Sequence, residues 1–270
     1  MLPQLQDTEE KRYMNKIEIA FKNKKAFIPF ITAGYPNINK TEDFIYKMVL
    51  AGADLIEIGI PFSDPVAEGP VIHESSQKAL QAGTNIDNIF ELVKKVKKTV
   101  SIPLVFMTYI NPVFKYGYDN FFKQCSLIGI DGIIIPDLPF EEKEEISCYA
   151  RKYDVKIVSL IAPTSEDRIK QIAKDAEGFL YIVSSMGVTG VRSEIKTDLK
   201  SILESVKKVT TVPAAIGFGI HSPEQAKQMA KIADGVIVGS AIIKIIKEYG
   251  TNADDYIYNY VKTMKNAINN

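Results

Sequence analysis

The sequence is poor in cysteine and has no long apolar run. Its two cysteines, Cys125 and Cys148, lie far apart and lack the spacing of metal ligands. No apolar stretch approaches the roughly 20 residues of a membrane span. The amino terminus carries an acidic cluster at residues 7–10 and has no apolar signal-peptide segment. We therefore expect an unexported, cytoplasmic protein whose thiols are reduced and buried.

Neither sign of charge is in excess. Lys plus Arg and Asp plus Glu both total 33, and the formal net charge is zero. The densest basic run, residues 94–98, fits the solvated face of a helix, so no surface for DNA or RNA is indicated. A chain of 270 residues with 46% hydrophobic content is long enough to bury one large core. A single domain is the favoured interpretation.

Short apolar runs alternate with longer amphipathic stretches along the whole chain, a rhythm that predicts a parallel sheet. Strands buried on both faces suit either a closed barrel or an open doubly wound sheet. Because there are eight such units, we predict an α/β fold of the (β/α)8 TIM-barrel type with extra helices. The predicted strands are residues 26–31, 54–60, 103–108, 132–136, 155–160, 179–183, 212–217 and 235–238.

Apolar residues recur every three or four positions between these strands, which predicts helices. Residues 84–98 are predicted to be an additional helix between the second and third strands, and a last helix packs on the barrel exterior. Residues 1–13 are polar and unpatterned, so we expect a disordered or non-native tail before a barrel domain spanning 14–270. The helical patterns include residues 41–51, 140–152, 166–174, 199–208, 223–232 and 253–267.

One carboxylate, Glu57, is embedded in an otherwise apolar strand. Active sites of such barrels lie at the carboxyl ends of the strands, where the following loop carries Asp64 and Glu68. A lone buried carboxylate has a raised pKa or needs a partner, so Glu57 is suited either to proton transfer near neutral pH or to a structural ion pair. Either loop carboxylate, taken alone, is more simply explained as solvated.

Glycine-bearing turns follow three late strands, at residues 187–190, 217–220 and 239–240. Glycine lets backbone N–H groups approach an anion, and the helix that follows adds its positive end. Many barrels bind phosphate at the turns after strands seven and eight. A strand-to-helix turn also favours glycine for steric reasons alone. The three turns together predict a phosphorylated ligand.

With these motifs the sequence resembles the tryptophan synthase α-subunit family. The resemblance runs from about residue 14 to the carboxyl terminus in the family's order, and the block at 57–70 is highly specific. The fold it implies is the same (β/α)8 barrel. The matching stretches are residues 27–36, 57–70, 107–112, 131–139, 187–190 and 217–220.

The resemblance implies the retro-aldol cleavage of indole-3-glycerol phosphate. Glu57 matches the family's catalytic glutamate, which protonates indole C3 and then accepts a proton from the glycerol hydroxyl. The second catalytic carboxylate is normally aspartate, and here it is Glu68. Glutamate is one methylene longer, and a misplacement of about 1 Å can cost about a hundredfold in rate. We expect the surrounding loop to compensate.

The resemblance also implies the substrate contacts. Aromatic residues would surround the indole ring, backbone N–H groups would hold the phosphate, and Thr189 would close a loop over the site. Without the resemblance, aromatic residues at strand ends are more often plain core. We expect surface or capping roles for His73 and His221. The implied substrate-binding residues are Phe30, Tyr109, Tyr181, Thr189, Gly190, Phe218, Gly219, Ile220, Gly239 and Ser240.

A β subunit that carries pyridoxal phosphate is the implied partner, in an α2β2 heterotetramer, and it would join the released indole to serine. No cofactor or metal is expected in this chain. By resemblance, Asp64, Pro65 and Asn111 lie on loops that meet the β subunit, although a solvated loop explains them equally well. Three alternatives stay open: another phosphate-binding barrel such as a phosphosugar isomerase or epimerase, a non-catalytic α-like subunit marked by Glu68, and a free-standing lyase.

Overall fold

A computed structural model describes residues 15–183, 198–217 and 219–269. Eight parallel strands close into a barrel in sequence order, with β8 pairing to β1, which confirms the predicted fold. The strands are short because pairing ends where the chain turns toward the flanking helices. They are β1 (Ala26–Thr32), β2 (Ile56–Gly59), β3 (Leu104–Met107), β4 (Gly132–Ile134), β5 (Lys156–Ile161), β6 (Leu180–Val183), β7 (Ala214–Gly217) and β8 (Gly235–Val238).

The helices pack around the barrel, and each predicted helical pattern forms one. Ser222 begins its helix with a capping box, and Ser165 caps the helix at 166. The described helices are α1 (Lys16–Phe21), α2 (Ile38–Leu50), α3 (Pro70–Gln81), α4 (Ile86–Val96), α5 (Ile110–Tyr116), α6 (Tyr118–Ile128), α7 (Glu144–Lys152), α8 (Glu166–Lys174), α9 (Leu199–Lys207), α10 (Pro223–Ile232), α11 (Ser240–Tyr249) and α12 (Asp254–Asn269). Two short 3-10 turns, Phe140–Glu142 and Gly250–Asn252, precede α7 and α12.

The prediction of one additional helix between β2 and β3 was incomplete, because α3 precedes α4 there. The buried face of α3 includes Ser75 and Ser76, which weaken the apolar periodicity that marks a helix. Ser75 is satisfied by short hydrogen bonds, since its Oγ lies 2.7 Å from Thr32 Oγ1 and 2.7 Å from the carbonyl oxygen of Ile72. The predicted tail at residues 1–13 lies outside the described residues.

Buried or half-buried aspartates lie at the amino ends of β2, β4 and β8. Each accepts a hydrogen bond from a backbone N–H of the preceding strand. This bond satisfies a backbone donor at the point where the sheet pairing begins. These charges serve stability, because the chemistry of such barrels lies at the opposite end. The pairs are Asp54 with Phe27 (2.8 Å), Asp131 with Leu104 (3.0 Å) and Asp234 with Ala214 (3.0 Å).

We expect Asp54→Asn to destabilise the fold by about 2–3 kcal/mol. Asp54 is 6% exposed and pairs with Lys265 and Lys24, each at 2.6 Å. The substitution removes both ion pairs and leaves the Lys265 charge without its partner. Urea unfolding measures the loss. The matched control is Asp154→Asn at the exposed pair with Lys156, where a change below about 0.5 kcal/mol is expected. Equal losses in both variants would contradict the assignment.

Candidate active site

Strand register turns Phe30 and Glu57 toward the barrel interior. The two residues are direct partners in the β1–β2 pairing, so their side chains lie on the same face of the sheet. A Cβ placed on Gly59 would lie 2.6 Å from Cζ of Phe30, and one on Gly239 would lie 3.2 Å from its Cδ1. The Phe30 ring therefore occupies space that two glycines leave open between β2 and the end of β8.

Tyr181 lies against a third glycine of the barrel mouth. A Cβ placed on Gly217 would lie 2.6 Å from Cε1 of Tyr181, so only glycine leaves room for this ring. Burial raises the pKa of Tyr181 well above its usual value, and the charge of Glu57 adds to the effect. Tyr181 and Glu57 thus share one interior space, and Gly217 serves this packing.

Glu57 and Glu68 are two acids in a dry environment. Glu57 is 1% exposed, and burial, followed by the nearby charge of Glu68, raises its pKa to about 8. Burial likewise raises the pKa of Glu68 to about 7, although the hydroxyls of Tyr109 and Ser76 oppose the shift. The Oε2 atoms of both acids are buried without a hydrogen-bond partner among the described residues. The charge of Glu68 thus acts on Glu57, and each of the two acids has one oxygen without a hydrogen-bond partner in the described part of the chain.

The loop that carries Glu68 is anchored by Tyr109. The backbone N–H of Ala67 donates to the Tyr109 hydroxyl at 3.2 Å, and the Phe62 ring packs on the Tyr109 ring with centroids 5.3 Å apart. Burial raises the pKa of Tyr109 beyond its usual value, so the hydroxyl stays protonated. The structure therefore places Tyr109 under this loop, beside Glu68.

A cavity of about 580 Å³ opens next to the same loop. It extends from Val66 and Ala67 to the carboxyl ends of β4 and β5, where Pro136 and Leu160 line it. Its lining is mostly apolar, and its size is in the range of pockets that hold small organic ligands. Neither Glu57 nor Glu68 lines this cavity, so it adjoins the loop without reaching the two acids.

The turns after β7 and β8 lie at the same end of the barrel. Gly219 has φ +84°, a backbone region that favours glycine, and Ile220 is 4% exposed. Gly239 precedes α11, which Ser240 begins and which has no side-chain cap. The start of α11 leaves backbone N–H groups without partners inside the helix, and such a helix start can bind an anion. The predicted substrate residues Thr189, Gly190 and Phe218 lie outside the described residues.

Three predictions for single side chains need correction. His73 is half-buried rather than fully solvated, and its Nε2 is buried without a hydrogen-bond partner among the described residues. The cap of α10 is Ser222, while His221 Nδ1 lies 3.0 Å from the carbonyl oxygen of Gly219. Cys125 is buried as predicted, but Cys148 is exposed.

Sequence reasoning missed Ser76, whose hydroxyl lies beside Glu68. Its helix was not recognised, and the position eight residues after Glu68 has no motif of its own. Within residues 15–183, 198–217 and 219–269, no group of His, Cys, Asp or Glu side chains is arranged to hold a metal ion. No helix in that part of the chain is long and apolar enough to cross a membrane.

A closed barrel of eight parallel strands with surrounding helices defines the (β/α)8-barrel class, whose active sites lie at the carboxyl ends of the strands. The family model described as tryptophan synthase alpha chain matches residues 17–269. The chain belongs to the tryptophan synthase alpha chain family. It is a carbon–carbon lyase that cleaves indole-3-glycerol phosphate to indole and glyceraldehyde 3-phosphate.

Individual relatives agree with this assignment. The chain is 48% identical over 255 residues to the tryptophan synthase alpha chain of Lacticaseibacillus casei, covering 94% of this chain and 96% of that one. The crystal structure of the alpha chain from Legionella pneumophila is 36% identical with a TM-score of 0.85, over 94% and 97% of the two chains. A tryptophan synthase complex from Pyrococcus furiosus is 36% identical with a TM-score of 0.82, over 88% and 97%.

Proposed function

We propose that Glu57 and Glu68 are the two catalytic carboxylates of this cleavage. The observation that carries the assignment is their shared environment: each acid has a buried Oε2 without a partner among the described residues, and the charge of Glu68 raises the pKa of Glu57. Two acids whose pKa values lie near neutral pH, and whose surroundings differ, can take separate roles: one donates a proton and the other stabilises charge.

Glu57 acts first as an acid. Its raised pKa keeps a proton on the carboxyl near neutral pH, and this proton goes to C3 of the indole ring. The ring becomes an indoleninium, whose C=N⁺ group accepts the electron pair of the breaking carbon–carbon bond. The Glu57 carboxylate then takes the proton of the adjacent glycerol hydroxyl, which becomes the aldehyde of glyceraldehyde 3-phosphate. Indole leaves, and Glu57 is again protonated.

Glu68 balances the charge that develops on the ring nitrogen. Its unpartnered Oε2 can accept a hydrogen bond from the ring N–H, and a fixed negative charge in a dry site stabilises an indoleninium strongly. The hydroxyls of Tyr109 and Ser76 lower the pKa of Glu68 and so favour its ionised form. They provide the compensation that the longer glutamate side chain needs.

The remaining contacts follow from the barrel mouth. Phe30 and Tyr181 pack against the indole ring from the space that Gly59, Gly217 and Gly239 leave open. Tyr109 lies at the edge of the ring beside Glu68. Thr189, Gly190 and Phe218 are assigned by family resemblance alone. The phosphate binds backbone N–H groups at Gly219, Ile220, Gly239 and Ser240.

We expect a bell-shaped pH dependence of kcat/KM. Glu57 must enter protonated, so activity falls as pH rises through about 8. Glu68 must be ionised, so activity also falls as pH drops through about 7. Initial rates of indole formation across the neutral range measure both limbs. Glu68→Gln should remove the acidic limb and move the alkaline limb to lower pH, because the charge of Glu68 no longer raises the pKa of Glu57. A wild-type profile that is flat through this range would contradict the assignment.

A β subunit is the proposed partner, with pyridoxal phosphate on that subunit and an α2β2 assembly. Two observations support a docking surface on the loops that carry Asp64 and Asn111: both residues are exposed, and the apolar Val66 and Phe114 beside them are 70% and 64% exposed. Pro65, between Asp64 and Val66, belongs to the same surface. The unpaired thiols of Cys125 and Cys148 fit the reducing cytoplasm.

Indole release from indole-3-glycerol phosphate tests the proposal directly, with and without an added β subunit. We expect a low rate for the chain alone and a higher rate in the complex. A high rate that no β subunit changes would favour a free-standing lyase. No indole in either case, with the β subunit still activated, would favour a non-catalytic subunit. Isomerase or epimerase activity on a phosphosugar would reject the lyase.

A further inference from the structure

The turn between β7 and α10 forms a hydrogen bond with a side chain of a helix outside the barrel mouth. His221 Nδ1 lies 3.0 Å from the carbonyl oxygen of Gly219, and the Tyr260 hydroxyl donates to the carbonyl oxygen of His221 at 2.8 Å. Tyr260 belongs to α12, 39 residues further along the chain. A remote helix thus contacts the backbone of a turn that we assign to phosphate binding.

The far end of the same turn is fixed by Gln225. Its Oε1 accepts from the backbone N–H groups of His221 at 3.0 Å and Ser222 at 3.3 Å, while its own N–H donates to Ser222 Oγ at 3.3 Å. Gly219, at φ +84°, is therefore followed by a segment with little freedom. The direction of the N–H groups in this turn depends on these contacts.

Helix α12 is itself well anchored. Lys265, five residues beyond Tyr260, bonds to Asp54 at 2.6 Å and to the carbonyl oxygen of Lys25 at 2.8 Å, both at the amino end of the barrel. Burial raises the pKa of Tyr260, so its hydroxyl remains a proton donor. A rigid helix therefore presents a single neutral donor to the turn.

We propose that Tyr260 and His221 are positioning residues for the substrate phosphate. They hold the turn at Gly219 and Ile220 so that its N–H groups are oriented before the substrate arrives, which lowers the cost of binding. The inference rests on the proposed phosphate contacts. Because neither side chain takes part in the proton transfers, the effect falls on substrate affinity and leaves the chemical step unchanged.

Tyr260→Phe tests the proposal in the full-length chain, with glycerol 3-phosphate as the binding probe and indole as a probe without phosphate. We expect the Kd of glycerol 3-phosphate and the KM of indole-3-glycerol phosphate to rise about threefold to tenfold, the effect of one lost hydrogen bond. The kcat and the indole affinity should not change. The matched control is Tyr258→Phe on the same helix, whose hydroxyl accepts a hydrogen bond from the exposed Lys262 at 3.2 Å.

His221 provides a rescue experiment. His221→Ala should weaken glycerol 3-phosphate binding by a similar factor, whereas His221→Asn, whose side-chain amide can still donate to Gly219, should restore most of it. Equal affinities in Tyr260→Phe and Tyr258→Phe, or a parallel fall in kcat and indole affinity, would overturn the inference. In that case a wild type that cleaves indole-3-glycerol phosphate keeps the proposed function intact. A wild type that does not bind glycerol 3-phosphate overturns both.

Discussion

Glu57→Gln should lower the kcat for indole formation by about 10²–10⁴-fold, the usual contribution of a positioned acid or base. Glutamine has nearly the same shape but can neither donate a proton to C3 nor accept one from the glycerol hydroxyl. Binding of glycerol 3-phosphate should stay within about twofold, since the phosphate contacts lie on other strands. Single-turnover measurement of indole release separates the chemical step from binding.

The same variant should be more stable than the wild type near pH 8. Folded Glu57 holds its proton up to a pKa of about 8, whereas the ordinary value is 4.5. The folded state therefore binds more protons between these values, and wild-type stability falls as pH rises through that window. Glutamine cannot ionise, so the variant does not lose stability as pH rises through this window. Urea unfolding near pH 8 and near pH 4.5 tests the sign, because the difference should disappear at the lower pH.

An inactive but more stable Glu57→Gln would place the defect in the chemistry. If the variant instead lost activity and stability together, the loss would be structural. Retained turnover would reject Glu57 as the proton donor. This combination is informative because an acid buried without a hydrogen-bond partner for one oxygen, as Glu57 is among the described residues, is costly to the fold.

The fold and the first catalytic acid could be predicted from local patterns. Eight apolar runs in alternation with amphipathic ones specify a barrel, and a carboxylate inside one of those runs is conspicuous because burial is expensive. Glu57 is therefore visible in the sequence. The glycine turns were visible for a similar reason, because their spacing follows the strand ends.

Contacts between distant segments could not be predicted in the same way. Ser76 comes beside Glu68 only because a helix with a partly polar buried face begins immediately after the loop. Tyr260 contacts His221 because of the way α12 packs, and no sequence pattern in either segment predicts this contact. Gly217 was interpreted as part of an anion-binding turn, yet its missing side chain makes room for Tyr181.

Substitutions of Glu68 are expected to have the second large effect on kcat. Glu68→Gln should lower kcat about 10²–10³-fold, because a neutral amide cannot balance the positive charge of the indoleninium. Glu68→Asp restores the residue usual in the family, yet we expect it to lower kcat about tenfold to a hundredfold here. The hydroxyls of Tyr109 and Ser76 lie beside a glutamate carboxyl, and a shorter side chain draws the charge away from both.

The measurement is kcat for indole-3-glycerol phosphate with the β subunit present, in the wild type and both variants. A rate increase in Glu68→Asp would mean that the loop does not compensate for the extra methylene. It would also mean that the glutamate at position 68 impairs catalysis. Adding Ser76→Ala to Glu68→Asp distinguishes the cause. If Ser76 acts through the Glu68 carboxyl, its removal should cost about tenfold in the wild type and much less once the carboxyl has moved away.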